Sequence, residues 1–167
     1  KKDFLIFLQK KLIPKYKEIK EVFNSLNKKD LPKMNLTKNQ MIISPSDFGF
    51  HNAIKNNKKL FFIDFEYAGF DDPIKLICDF YCQPDQSLTE EQKEIFIRKL
   101  ILKGYKLTKL KSYIKIYLPF HIIKWCCIML KELEYNKAFN HFKNKKNYSE
   151  RVKNKLIKTE MYFRKNF

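Results

Sequence analysis

Glycine is scarce in this chain: three residues in 167, at Gly49, Gly69 and Gly104. That excludes a collagen-like repeat, and with only four cysteines a disulfide scaffold is excluded as well. Arginine is just as rare. Arg98, Arg151 and Arg164 are the only three among 35 basic residues, set against 18 acidic ones, so the net charge of +17 is carried almost wholly by lysine. A nucleic-acid reader draws on arginine for bidentate contacts to bases and phosphates. The surplus therefore reads first as a solvated lysine surface, with nonspecific nucleic-acid binding through the lysine-rich segment 136–158 as the lesser alternative.

Cys78 and Cys82, with three residues between them, and the adjacent Cys126 and Cys127 do not match a usual zinc spacing. Each lies in an apolar helical run, as a reduced core thiol of a cytoplasmic protein would. No signal peptide is visible, and lysines interrupt the apolar runs short of the ~20 residues that cross a bilayer, so no membrane partner is expected.

What is present is a core. The composition is 44% hydrophobic and 16% aromatic, too apolar for a disordered chain, and the length suits one domain. Residues 3–26 carry apolar positions at mostly helical spacing, with a break or kink near Pro14. After a polar connection over 28–40, the texture changes. Met41-Ile42-Ile43 and the run 60–65 read as strands, and Lys55-Asn56-Asn57-Lys58-Lys59 has turn chemistry, which suggests a small hairpin or ladder carrying a loop.

Downstream the chain turns helical. Asp71-Asp72-Pro73 opens a helix over 74–81. Ser87 and Thr89, with Glu90 and Gln92 three residues on, offer overlapping capping boxes for a helix to about 103. A long apolar helix follows over 108–134 with Pro119 inside it. Residues 137–147 read as a basic loop, and Ser149 as the cap of a last helix to about 163. The class is α+β, mainly helical, with one small β element.

That element holds the chemistry. Ser44 to Asn52 contains Asp47-x-x-x-x-Asn52 in a loop after a strand, and twelve residues beyond Asn52 comes Ile63-Asp64-Phe65-Glu66. Phosphoryl transfer uses such a set: one carboxylate orients the attacking hydroxyl and accepts its proton, while an amide oxygen and a second carboxylate hold Mg²⁺. Kinase catalytic loops place Asn five positions after Asp and the metal-binding Asp after a hairpin. Asp47, Asn52 and Asp64 follow that order. Alternatively, Asp47 and Asn52 are turn formers and Asp64 is a strand-end carboxylate. That leaves unexplained the charge interrupting Phe61-Phe62-Ile63-Asp64-Phe65.

Over residues 42–84, Ile43-Ser44-Pro45-Ser46-Asp47-Phe48-Gly49-Phe50-His51-Asn52 and Phe62-Ile63-Asp64-Phe65-Glu66-Tyr67-Ala68-Gly69-Phe70-Asp71-Asp72-Pro73 resemble the aminoglycoside phosphotransferase and choline kinase superfamily of small-molecule kinases with a protein-kinase-like fold. The resemblance implies that residues 1–167 form a C-terminal catalytic lobe. Asp47 would be its base, Asn52 and Asp64 its Mg²⁺ ligands, and Glu66 an assistant from behind them or at a second metal. ATP would be co-substrate, and Tyr67, Asp71 and Asp72 would stand near a small-molecule hydroxyl substrate, sugar-like or an amino alcohol.

Three departures matter. Leu76 stands where the resemblance puts a carboxylate three residues after the proline, with Asp79 as its stand-in. The family's His-Gly-Asp reads Pro45-Ser46-Asp47, so the loop histidine is missing; His51 does not replace it by position, and reads as a hydrogen-bonded loop residue. Nothing before Met41 resembles a glycine-rich phosphate loop or a strand lysine, so an N-terminal lobe is an expected partner. A catalytically silent, kinase-like binding module is the competing expectation.

Overall fold

Proline near the start of a helix removes a backbone donor, and this chain accommodates it by widening a turn. In the computed structural model, α1 (Lys2–Phe7) runs into a π-helical turn at Leu8–Leu12 and on into α2 (Ile13–Ser25). The Ile13 N–H donates to the Leu8 carbonyl, five residues back, just before Pro14. The expected break is thus a π turn within a continuous helical run. The structure describes residues 2–32, 36–100, 107–131 and 145–167.

The chain is α+β and mainly helical. Four short strands form two antiparallel pairs. β1 (Ile42–Ser44) pairs with β4 (Gly69–Asp71), with Ile43 opposite Phe70. β2 (Ala53–Asn56) pairs with β3 (Lys59–Phe62), with Ala53 opposite Phe62. The turn lysines and asparagines close the β2–β3 hairpin, with Asn57 at φ 53°, a conformation asparagine tolerates. The loop 45–52 leads from β1 into this hairpin, while β1 itself pairs with β4.

Three helices follow: α3 (Pro73–Cys82), α4 (Glu90–Lys99) and α5 (Leu107–Lys131), with Pro119 inside the last. The Thr89–Gln92 capping box forms at the start of α4, so of the two overlapping boxes the later one is used. The last helix, α6 (Lys145–Asn166), begins before Ser149, which lies within it instead of capping it. The rest of the expected basic loop at 137–147 lies outside the described residues.

The residues gather into two compact units, Leu26–His121 and Lys1–Ser25 with Ile122–Phe167. In the first, Ile74, Ile77, Cys78, Ile97, Leu110 and Ile114 form a core from α3, α4 and the first half of α5. In the second, Phe7 meets the edge of Phe163 at 5.6 Å, and Phe163 packs on Phe167 at 5.1 Å.

Cys78, Cys82 and Cys126 are buried, and burial pushes the Cys126 thiol up to about 12. Cys127 is exposed, contrary to the expectation of four core thiols. Over Thr108–Lys131, α5 also reaches the length and apolar composition of a membrane-crossing helix, which its interrupting lysines do not lead one to expect. A core helix has the same composition, and Leu110 and Ile114 are buried in the first unit's core.

Candidate functional site

Asp47 is aimed by a strained turn. Pro45, Ser46 and Asp47 make a three-residue turn in which the Asp47 N–H donates to the Pro45 carbonyl at 3.0 Å, with Ser46 at φ 70°. A γ-turn of this hand is rare and strained. The Ser46 N–H is held by the buried Ser44 hydroxyl at 3.0 Å. Beyond it, the Phe48 ring packs against Phe62 and Phe80, each at 5.2 Å, and stacks on Phe96 at 5.8 Å. Phe48 thereby nails the loop to the hairpin and to α3 and α4, while the Asp47 carboxylate stays 47% exposed.

Asn52 gathers the set. Its side-chain amide Nδ2 donates to the Asp47 carbonyl at 3.0 Å, and its own backbone carbonyl accepts from the Ile63 N–H at 2.9 Å. The β2–β3 register thus continues one pair beyond Ala53–Phe62 and brings Asn52 opposite the residue before Asp64. Asp64 itself sits at φ 63°. Ser46, Asn57 and Asp64 are the non-glycine residues with positive φ among the described ones. One serves the hairpin turn; the other two sit immediately before Asp47 and at Asp64. Aspartate tolerates this region as asparagine does, so the strain, about 1–3 kcal/mol of a kind that collects at functional sites, falls on Ser46.

The other expected site residues lie nearby in sequence, two of them exposed and two held in contacts of α3. Glu66 and Tyr67 are exposed at the corners of a turn closed by the Ala68 N–H on the Phe65 carbonyl at 3.0 Å. Asp72 caps α3, accepting from the Ile74 N–H at 2.7 Å, and burial raises its pKa against the lowering effect of that bond. Asp71 accepts from the Asp72 N–H at 2.9 Å and pairs with Lys75. Burial disfavours the Lys75 ammonium, but Asp71 and Asp79 outweigh it and its pKa is raised. Asp79, 6% exposed, faces His121 Nδ1 at 2.7 Å and Lys75 at 3.6 Å. These contacts make structural use of Asp71 and Asp72 beside the site.

Residues that the sequence did not single out brace the loop from behind. After α3, Gln86 accepts from the Phe50 N–H at 3.0 Å and donates to the Phe80 carbonyl at 2.5 Å. Gln83, almost fully buried, reaches His51 at 3.2 Å, and His51 in turn reaches Asp47 Oδ2 at 3.1 Å. The only signal in the sequence is a pair of glutamines just past a helix end. Their partners lie 32 and 36 residues away, beyond any local pattern.

The donor chemistry suits a hard cation. Asn52 uses Nδ2 for the loop, which leaves its carbonyl oxygen for a ligand, and Asp64 supplies an exposed carboxylate. Among the described residues no three His, Cys, Asp or Glu side chains cluster to hold a metal by themselves. Mg²⁺ does not need such a cage. It takes one or two protein oxygens and completes its shell with water and substrate phosphates.

Comparison of the chain with protein-family models, with curated proteins and with solved structures gives no match.

Proposed function

We propose that residues 1–167 form the catalytic-loop lobe of an ATP- and Mg²⁺-dependent phosphotransferase acting on a small-molecule hydroxyl, working in the cytoplasm where ATP is supplied. One observation carries the reading: Asn52 joins Asp47, through its side chain, to the strand that ends in Asp64, through its backbone. A pair of turn-forming residues needs no such clasp. The strained conformation at Ser46 supports the same reading, and the resemblance puts glycine where Ser46 adopts its positive φ.

In this reading Asp47 accepts the proton of the acceptor hydroxyl. The hydroxyl oxygen bonds to the γ-phosphorus of ATP as the bond to ADP breaks. Asn52 Oδ1 and the Asp64 carboxylate would hold Mg²⁺, which supplies charge neutralisation for the phosphates. Glu66, two residues beyond Asp64, would assist at the metal. Tyr67 offers an exposed ring to the acceptor. The phosphate-covering loop and its lysine are not found among these 167 residues, so the reading calls on a second lobe for them.

Calorimetric titration of the full-length protein with ATP tests the site directly. Binding is expected to require Mg²⁺, and Asp64→Asn to weaken it by about tenfold or more, the scale of losing a metal-site oxygen and its support. Equal binding with and without Mg²⁺ would contradict the assignment of Asn52 and Asp64.

A further inference from the structure

The contact between Gln83, His51 and Asp47 has a polarity that can be worked out from one end. The Asp85 backbone N–H can only donate, and it lies 2.6 Å from Gln83 Oε1. That contact decides which end of the amide faces the imidazole: Gln83 Nε2, a donor, is 3.2 Å from His51 Nδ1 and 3.5 Å from Nε2. With the nearer nitrogen, Nδ1, as the acceptor, the ring proton falls to Nε2, which is 3.1 Å from Asp47 Oδ2. A carboxylate oxygen can only accept, so the chain of bonds is consistent at both ends.

A second observation is independent of the hydrogen bonds. A Cβ built on Gly49 would stand 2.6 Å from His51 Nδ1 and 2.7 Å from Cε1. The Gly49 backbone, at φ −171°, is open to any residue. What glycine provides here is room for the imidazole to lie back against Gln83.

We infer that Gln83 and His51 are positioning residues for Asp47, a backbone-anchored relay that holds the Nε2–H tautomer of His51 on Oδ2 and leaves Oδ1 for the acceptor hydroxyl, a role that rests on the reading of Asp47 as the base. The histidine missing from the start of the loop is thereby functionally replaced by one four residues after Asp47, which position alone does not reveal.

The tautomer is measured by long-range ¹H–¹⁵N NMR on the histidine-labelled full-length protein. His51 is expected to carry its proton on Nε2 with Nδ1 bare. Gln83→Met, similar in shape but without the donor, is expected to release the ring to a mixture of tautomers. Gly49→Ala, which changes no polar group, is expected to do the same by displacing the ring, and it carries the test if Gln83→Met does not fold. A proton on Nδ1 in the wild type, or spectra unchanged in both variants, overturns the relay.

In turnover, both variants are expected to lose about ten- to a hundredfold in kcat with KM for ATP within about twofold, as a misplaced catalytic group does. His51→Gln, whose amide can still donate to Oδ2, should retain more activity than His51→Ala; equal loss in the two contradicts the role assigned to the Nε2–H. The tautomer is read without turnover, so the two readings fail by different results. The relay fails on a proton at Nδ1, and the phosphotransferase reading fails on a wild-type protein that transfers no phosphate.

Discussion

Ser46 holds its backbone at φ 70°, in the left-handed region, where a side chain costs roughly 1–2 kcal/mol that glycine does not incur. Its neighbours fix it there: the Ser44 hydroxyl takes its N–H, and the Asp47 N–H closes the turn behind it. Ser46→Gly is therefore expected to leave stability within about 1 kcal/mol of wild type, the relieved strain offsetting the greater freedom of the unfolded chain. Ser46→Val, β-branched at the same φ, is expected to lose about 2 kcal/mol or more in chemical denaturation. A valine variant as stable as the glycine one would show that the turn is not strained. None of this is legible in Pro45-Ser46-Asp47 as letters. The spacing to Asn52 marks Asp47 as a candidate, but φ at residue 46 is set by contacts with residues on either side of it.

Among the elements, α3 shows what local chemistry makes legible. Asp72 before Pro73 is a cap followed by a first-turn proline, and the helix starts there as the sequence implies. Thr89 and Gln92 announce α4 in the same way. The three-residue strand β4 has no such mark, because its partner β1 lies far back along the chain and the pairing is non-local. The glutamine brace behind the loop was hidden for the same reason.

The cap at Asp72 also makes a pH prediction. Burial raises its folded pKa above the ordinary 3.8, so the folded chain binds this proton more tightly than the unfolded one. Its contribution to stability therefore falls as pH rises above that value and is least favourable near neutrality. Asp72→Asn keeps the cap without the charge. Its melting temperature relative to wild type is expected to be higher at pH 7 than at pH 4, whereas Asp72→Ala should lose about 1 kcal/mol with the cap. A relative stability of Asp72→Asn that improves on acidification would contradict the direction of the shift.

For the whole molecule, the charge of +17 argues about the substrate more than about the fold. A polycation would meet a surface of its own sign, so under the proposed function a sugar-like hydroxyl or a singly charged amino alcohol is the expected acceptor before a polyamine. The residues that carry the proposed chemistry occupy a short stretch of the first compact unit, clasped by Asn52 and braced by Gln83 and Gln86. Transfer of the γ-phosphate from ATP to a panel of small-molecule alcohols, by the full-length protein and its Asp47→Ala variant, tests this account most directly. The wild type is expected to transfer phosphate, and the variant to remain folded while losing about 10²- to 10⁴-fold in kcat, the contribution of a positioned base. Undiminished turnover in a folded Asp47→Ala protein would contradict it.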